Sequence, residues 1–170
     1  MAARTSAAAA TPLVAPANRE TAGAALLHPL SLAAASLWAL NDHFWKWRAP
    51  SALTGKLSDI CGLIVVPLLL VSVLEMRRKL AGRPVSTRPG EVVAACALVG
   101  AVFAAVNTIP VAAEAYRTAF AALLFPLRVL THAAERPPFV HHTLDPTDLL
   151  ALPVLYVAYR LATSRKGRRG

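Results

Sequence analysis

Apolar residues in this chain come in long blocks separated by polar stretches, and successive blocks open and close on similar residues. Ser58-Asp59 precedes the uncharged run Ile60–Leu74, and Thr147-Asp148 precedes the uncharged run Leu149–Tyr159. An asparagine closes the block before each corner: Asn41 after Leu37-Trp38-Ala39-Leu40, and Asn107 after Ala104-Ala105-Val106. The chain reads as two copies of one unit: hydrophobic helix, Asn, polar loop, Ser/Thr-Asp, hydrophobic helix. Blocks of this length predict helices, which satisfy their own backbone hydrogen bonds where water is absent. The expected spans are 24–40, 59–76, 91–109 and 148–162. The expectation is an all-α, integral membrane four-helix protein, two tandem helical hairpins forming one domain over 24–162.

Two regions complicate this reading. The uncharged part of the last block is eleven residues long, short of the roughly 17–25 needed to span, and it contains Pro153. The segment 111–130 has a helical pattern, with Phe120, Leu123, Leu124 and Leu127 on one side and Glu114 and Arg117 on the other. Pro126 and Arg128 also argue against a fifth span, and an interfacial helix is the expectation. Pro50 and Gly55 are expected to keep the segment after Arg48 from continuing as the same helix. Residues 1–23 have no continuous apolar core and read as a disordered cytoplasmic tail, and 163–170 read as a basic one.

Composition sharpens the picture. The chain has 170 residues, is 56% hydrophobic and only 16% charged. That excess of apolar surface is more than so short a chain can bury in a core of its own, so it implies lipid. The net charge of +9 lies outside the apolar blocks, in clusters such as Arg77-Arg78-Lys79 and Arg165-Lys166-Gly167-Arg168-Arg169. No recognition helix, zinc-finger spacing or RNA-binding motif accompanies these clusters, so nucleic acid is not an expected partner. They read instead as orientation signals and as attraction to membrane lipid headgroups. With both termini inside, twelve basic residues face the cytoplasm and six face outward. The loops 41–58 and 107–147 then share the outer face.

The polar residues of that face form the candidate site: Asn41, Asp42, Lys56, Ser58, Asp59, Asn107, Asp145, Thr147 and Asp148. Ser58 and Thr147 fit helix N-caps, with Asp59 and Asp148 placed against the positive end of the helix dipole. A carboxylate at a membrane helix end also marks a site when it finds a cation, and Lys56, Arg48 and Arg128 are the candidate cations. His43, His141 and His142 lack metal-ligand spacing and read as solvated loop residues, so no metal or cofactor is expected. Cys61 and Cys96 fall at different depths and read as reduced packing residues. Glu75 reads as a partner of Arg78 and Lys79 at helical spacing. Phosphate-binding glycine loops and nucleophile motifs are absent from the sequence, so no catalytic residue is assigned.

Asn41-Asp42-His43, Leu53-Thr54-Gly55-Lys56-Leu57-Ser58-Asp59 and Asp145-Pro146-Thr147-Asp148-Leu149-Leu150-Ala151-Leu152 resemble a group of small bacterial multi-pass membrane proteins. The resemblance covers about residues 28–162 and implies a bacterial inner-membrane location, without any activity. The sequence thus favours a non-enzymatic membrane protein whose outer polar cluster recognises a lipid headgroup, a small polar ligand or a membrane protein partner. The alternative is a membrane-embedded enzyme or small transporter using Asp59 and Asp148 as a carboxylate pair.

Overall fold

A computed structural model describes residues 21–49, 51–130 and 142–164. The greater part of both expected tails, and the stretch 131–141 with His141, lie outside the described residues. Among those described, all regular structure is helical. Helix α1 covers Pro29–Leu40, and a π-helical turn, Asn41–Trp45, joins it to the short α2, Lys46–Arg48. Helix α3 is Ala52–Leu80, α4 is Pro89–Thr108 and α5 is Pro110–Leu130. A 3-10 segment, Pro146–Val154, runs into α6, Leu155–Thr163.

The second long helix starts earlier than the sequence pattern predicts. Its N-cap is Ser51, not Ser58: the Ser51 hydroxyl accepts from the Thr54 N–H at 3.3 Å, and the Thr54 hydroxyl accepts from the Ser51 N–H at 3.1 Å. This reciprocal capping box nucleates the helix, and Gly55 in its first turn is tolerated at about 1 kcal/mol. Ser58 and Asp59 therefore lie about two turns inside α3. Thr147 is likewise not the cap of its segment. Asp145 is, accepting from the Thr147 N–H at 2.9 Å. His28 caps α1, its Nδ1 accepting from the Leu30 N–H at 3.2 Å.

Ile109 separates α4 from α5. It precedes Pro110, which disfavours helical geometry at the preceding residue, and its backbone is extended. Pro110 then opens α5 at the position where a missing N–H costs nothing. Helix α5 rests on α4, with Ala113 fully buried, while Val111, Leu123 and Leu130 remain exposed.

Helix α3 is central and packs against α1, α4, the 3-10 segment and α6. The core is built from Ile64, Leu68 and Val71 of α3, Val92 and Ala95 of α4, Ala158 and Leu161 of α6, and Ala34 of α1. The small side chains permit close approach. A Cβ on Gly100 of α4 would lie 2.8 Å from the Leu155 Cδ1, so glycine is what lets α6 seat there. Helices α3 and α4 are long and apolar enough to cross a membrane, with mean hydropathies of 2.4 and 1.9 in their most apolar windows. Only 22% of that window in α4 is buried, so its apolar side chains, among them Val93, Leu98 and Val102, face outward.

The end of α3 away from the aspartates is closed by Glu75. Its carboxylate is buried and accepts from the Gly23 N–H at 2.9 Å and from the Thr87 hydroxyl. This ties the strap before α1 and the loop before α4 to α3. Gly23 has a φ of +77°, and a Cβ there would also approach Ser72. The expected Glu75 pairing with Arg78 and Lys79 gives way to this arrangement. Arg78 pairs instead with Glu91 and donates to the Ser86 carbonyl at 3.0 Å.

Candidate functional site

All four aspartates of the chain lie in the elements that meet at the other end. Asn41 enters first. The π turn places an extra residue in the helical repeat, and its closing bond runs from the Lys46 N–H to the Asn41 carbonyl. The fully buried Asn41 side chain donates from Nδ2 to the Thr54 carbonyl and to the Ser58 hydroxyl, both at 2.7 Å. The Ser58 hydroxyl donates to Asp42 Oδ1 at 2.6 Å, and Lys46 pairs with Asp42 at 2.8 Å. Burial pushes the Asp42 carboxyl up, but hydrogen bonds from Lys46 and Ser58 outweigh it and leave the group below the ordinary carboxylate range.

A second chain of bonds links α3 to the last helical segment. Lys56 Nζ donates to Thr147 Oγ1 at 2.8 Å and to Asp148 Oδ1 at 2.7 Å. The Thr147 hydroxyl donates in turn to Asp145 Oδ1 at 2.7 Å, and Lys56 stands 3.8 Å from Asp145 Oδ2. The Thr147 hydroxyl and backbone N–H hold the Asp145 carboxyl below its usual range. Lys56 is thus the cation that joins residues far apart in sequence.

Asp59 lies between these chains. It is half-buried and feels the charges of Asp148, Lys46 and Lys56, yet no hydrogen bond or ion pair reaches its carboxylate from the described residues. Helix α5 packs on α4 and carries Tyr116 and Arg117. Burial, and the neighbouring Asp42 and Asp59 carboxylates, push the Tyr116 phenol up. The Tyr116 ring meets His142 edge-on at 5.5 Å and stacks on Phe120 at 5.7 Å. His142 is fixed by Arg117, which donates to its carbonyl at 3.1 Å, and by a 3.2 Å contact from its Nε2 to the Val106 carbonyl.

Asn107 is the residue that departs from the expected equivalence. It is buried, but its Nδ2 donates to the Phe103 carbonyl of its own helix at 3.0 Å, and no bond joins it to Asp148 or Thr147. Asn41 and Asn107 share one feature: each has a buried Oδ1 with no hydrogen-bond donor among the described residues. Sequence reasoning missed Tyr116 and the placement of His142. The sequence signal for Tyr116 is an aromatic residue four positions before Phe120, on the same helix face. Both cysteines are free thiols.

No known protein family, curated protein or solved structure matches this chain.

Proposed function

We propose that this chain is a four-span membrane protein of binding or accessory function, and that its Asp-rich end is the binding surface. The observation that supports it best is the convergence of Asp42, Asp59, Asp145 and Asp148 with Lys46 and Lys56 at one end of an apolar helix bundle. Polar groups at a membrane helix end persist when they satisfy one another or a ligand. The apolar side chains left outward on α4 are matched by lipid. The fourth span gains support from its geometry. A 3-10 turn rises about 2.0 Å per residue and an α-helix about 1.5 Å, so Pro146–Thr163 reaches about 31 Å, close to the roughly 30 Å hydrocarbon core. In this reading both termini are cytoplasmic, the membrane is a bacterial inner membrane, and α5 lies in the interface.

An acid–base reading of Asp59 and Asp148 draws on the same proximity. It is the weaker one, because a lysine 2.7 Å from Asp148 already matches one of the two charges.

Native mass spectrometry of the full chain, released from membranes in a mild detergent, tests the binding reading. The expected result is a retained lipid or solute adduct that is lost in Asp148→Asn and kept in Glu114→Gln, which alters an exposed carboxylate on α5. Identical adducts in all three proteins would overturn it.

A further inference from the structure

The Asp-rich end is short of donors in an otherwise basic chain. Its four aspartates face two lysines, and the carboxylates of Asp42, Asp145 and Asp148 are already bonded. Asp59 is the one left without a partner among the described residues. Beside it are acceptors in the same condition. Asn41 is fully buried, its amide nitrogen is bonded to Ser58, the residue next to Asp59, and its Oδ1 has no donor among the described residues. The same holds for the buried Oδ1 of Asn107. Counting along the antiparallel α3–α4 pair from the Arg78–Glu91 contact, at about 1.5 Å per residue, puts Asn107 within a turn of the height of Asp59. His142 bonds the neighbouring Val106 carbonyl. A buried acceptor without a donor is destabilising, and a ligand bearing N–H groups relieves that cost.

The rings narrow the ligand class. Tyr116 stacks on Phe120 and meets His142 edge-on, and its phenol feels the Asp42 and Asp59 carboxylates. A carboxylate beside aromatic rings favours a cation with a diffuse, partly apolar surface. A bare metal ion is disfavoured, because among the described residues no three His, Cys, Asp or Glu side chains group to hold one.

We propose that this end binds a small organic ammonium group, with Asp59 supplying the countercharge, the Asn41 and Asn107 amide oxygens accepting its N–H groups, and Tyr116 covering its apolar side. The inference rests on the binding reading above and assigns its ligand class. The ammonium group belongs either to a lipid headgroup or to a free amine.

The test uses the full chain in phosphatidylglycerol nanodiscs, titrated with ethylammonium and followed by calorimetry and by the thermal unfolding midpoint. Potassium at matched ionic strength is the control. The expected result is saturable binding that raises the midpoint, weakened at least tenfold in Asp59→Asn and severalfold in Tyr116→Leu, and unchanged in Glu114→Gln. Tyr116→Leu alters a partly exposed residue and keeps the test decisive if Asp59→Asn does not fold. Phosphatidylethanolamine nanodiscs separate the sources. A raised apparent Kd for ethylammonium there points to the headgroup, and an unchanged Kd points to a free amine. No saturable response, an equal response to potassium, or undiminished binding in both folded variants would overturn the proposal. If ammonium has no effect while the mass-spectrometric adduct still depends on Asp148, the ligand class falls and the binding surface stands; loss of both dependences overturns both.

Discussion

The two units that look alike in sequence are built differently. In the first, Asn41 reaches across to another helix, bonding Thr54 and Ser58 of α3, and the corner residue Ser58 lies deep inside a long α-helix. In the second, Asn107 bonds its own helix, and Thr147-Asp148 sits at the start of a 3-10 segment. Asp148 is paired with Lys56, whereas Asp59 has no bonding partner among the described residues. The first unit thus spends its polar side chains on joining helices. The second unit borrows its main partner, Lys56, from the first. Sequence similarity of two corners places polar groups at one end of a bundle without making them equivalent.

Asn41 should carry the largest stability difference between the units. Asn41→Leu removes two 2.7 Å bonds and leaves the buried Thr54 carbonyl and Ser58 hydroxyl without that donor. The expected loss is about 2–4 kcal/mol, read from unfolding in detergent. Asn107→Leu removes one bond within its own helix together with a donorless oxygen, and should stay within about 1 kcal/mol. Equal losses would restore the symmetry that the contacts deny.

Glycine substitutions probe packing in the same way. Gly100→Ala meets Leu155 Cδ1 at 2.8 Å and should destabilise by about 1–3 kcal/mol unless that side-chain tip swings aside. Gly62→Ala in the first unit meets Trp38 only at an ordinary 3.7 Å and should be neutral, or stabilising by up to about 1 kcal/mol through helix propensity. Thermal unfolding of the two variants side by side ranks them.

The caps give a smaller contrast. Ser51→Ala removes the capping box of α3 and should cost about 1 kcal/mol. Thr147→Ala leaves the bond from its own N–H to Asp145 in place and should cost less, on the order of 0.5 kcal/mol. The opposite order would mean that the bonds of the Thr147 hydroxyl with Lys56 and Asp145 outweigh the capping box.

The smallest effect is one of pH. The folded Asp42 carboxyl is depressed, so its contribution to stability is present above its unfolded pKa of about 3.9 and is lost as pH falls through the folded value. Between about pH 4 and pH 2 the unfolding midpoint should fall less steeply in Asp42→Asn than in the parent. A parallel slope would mean that the Ser58 and Lys46 contacts do not favour the ionised form.

Much of the architecture was legible in the residues. Long apolar blocks require helices, Pro110 after Ile109 forces a break, and the Asn and Ser/Thr-Asp corners place the polar groups where blocks end. The second helix boundary was misread because Ser-Asp before an apolar run carries the same preference as a true cap. The deciding signal, Ser51 three residues before Thr54, is a reciprocal pair that competes with Gly55 in the same turn. Helical periodicity also paired Glu75 with Arg78 and Lys79, although burial offered Glu75 the donors of Gly23 and Thr87 instead.

The sequence by itself determined that this chain is helical, too apolar for its length to be covered by its own core, and polar at defined helix ends. Those properties follow from local preference and from the free energy of hydrating side chains, both of which act residue by residue. Only the tertiary structure decided which carboxylate meets which cation. Lys56 and Asp148 are 92 positions apart, and their 2.7 Å contact depends on α3 and the 3-10 segment arriving side by side. The pairing of Asn41 with Ser58 and the lack of a bonding partner for Asp59 among the described residues have the same origin. Charge pairing is short-ranged and directional, so it is settled by how the helices pack.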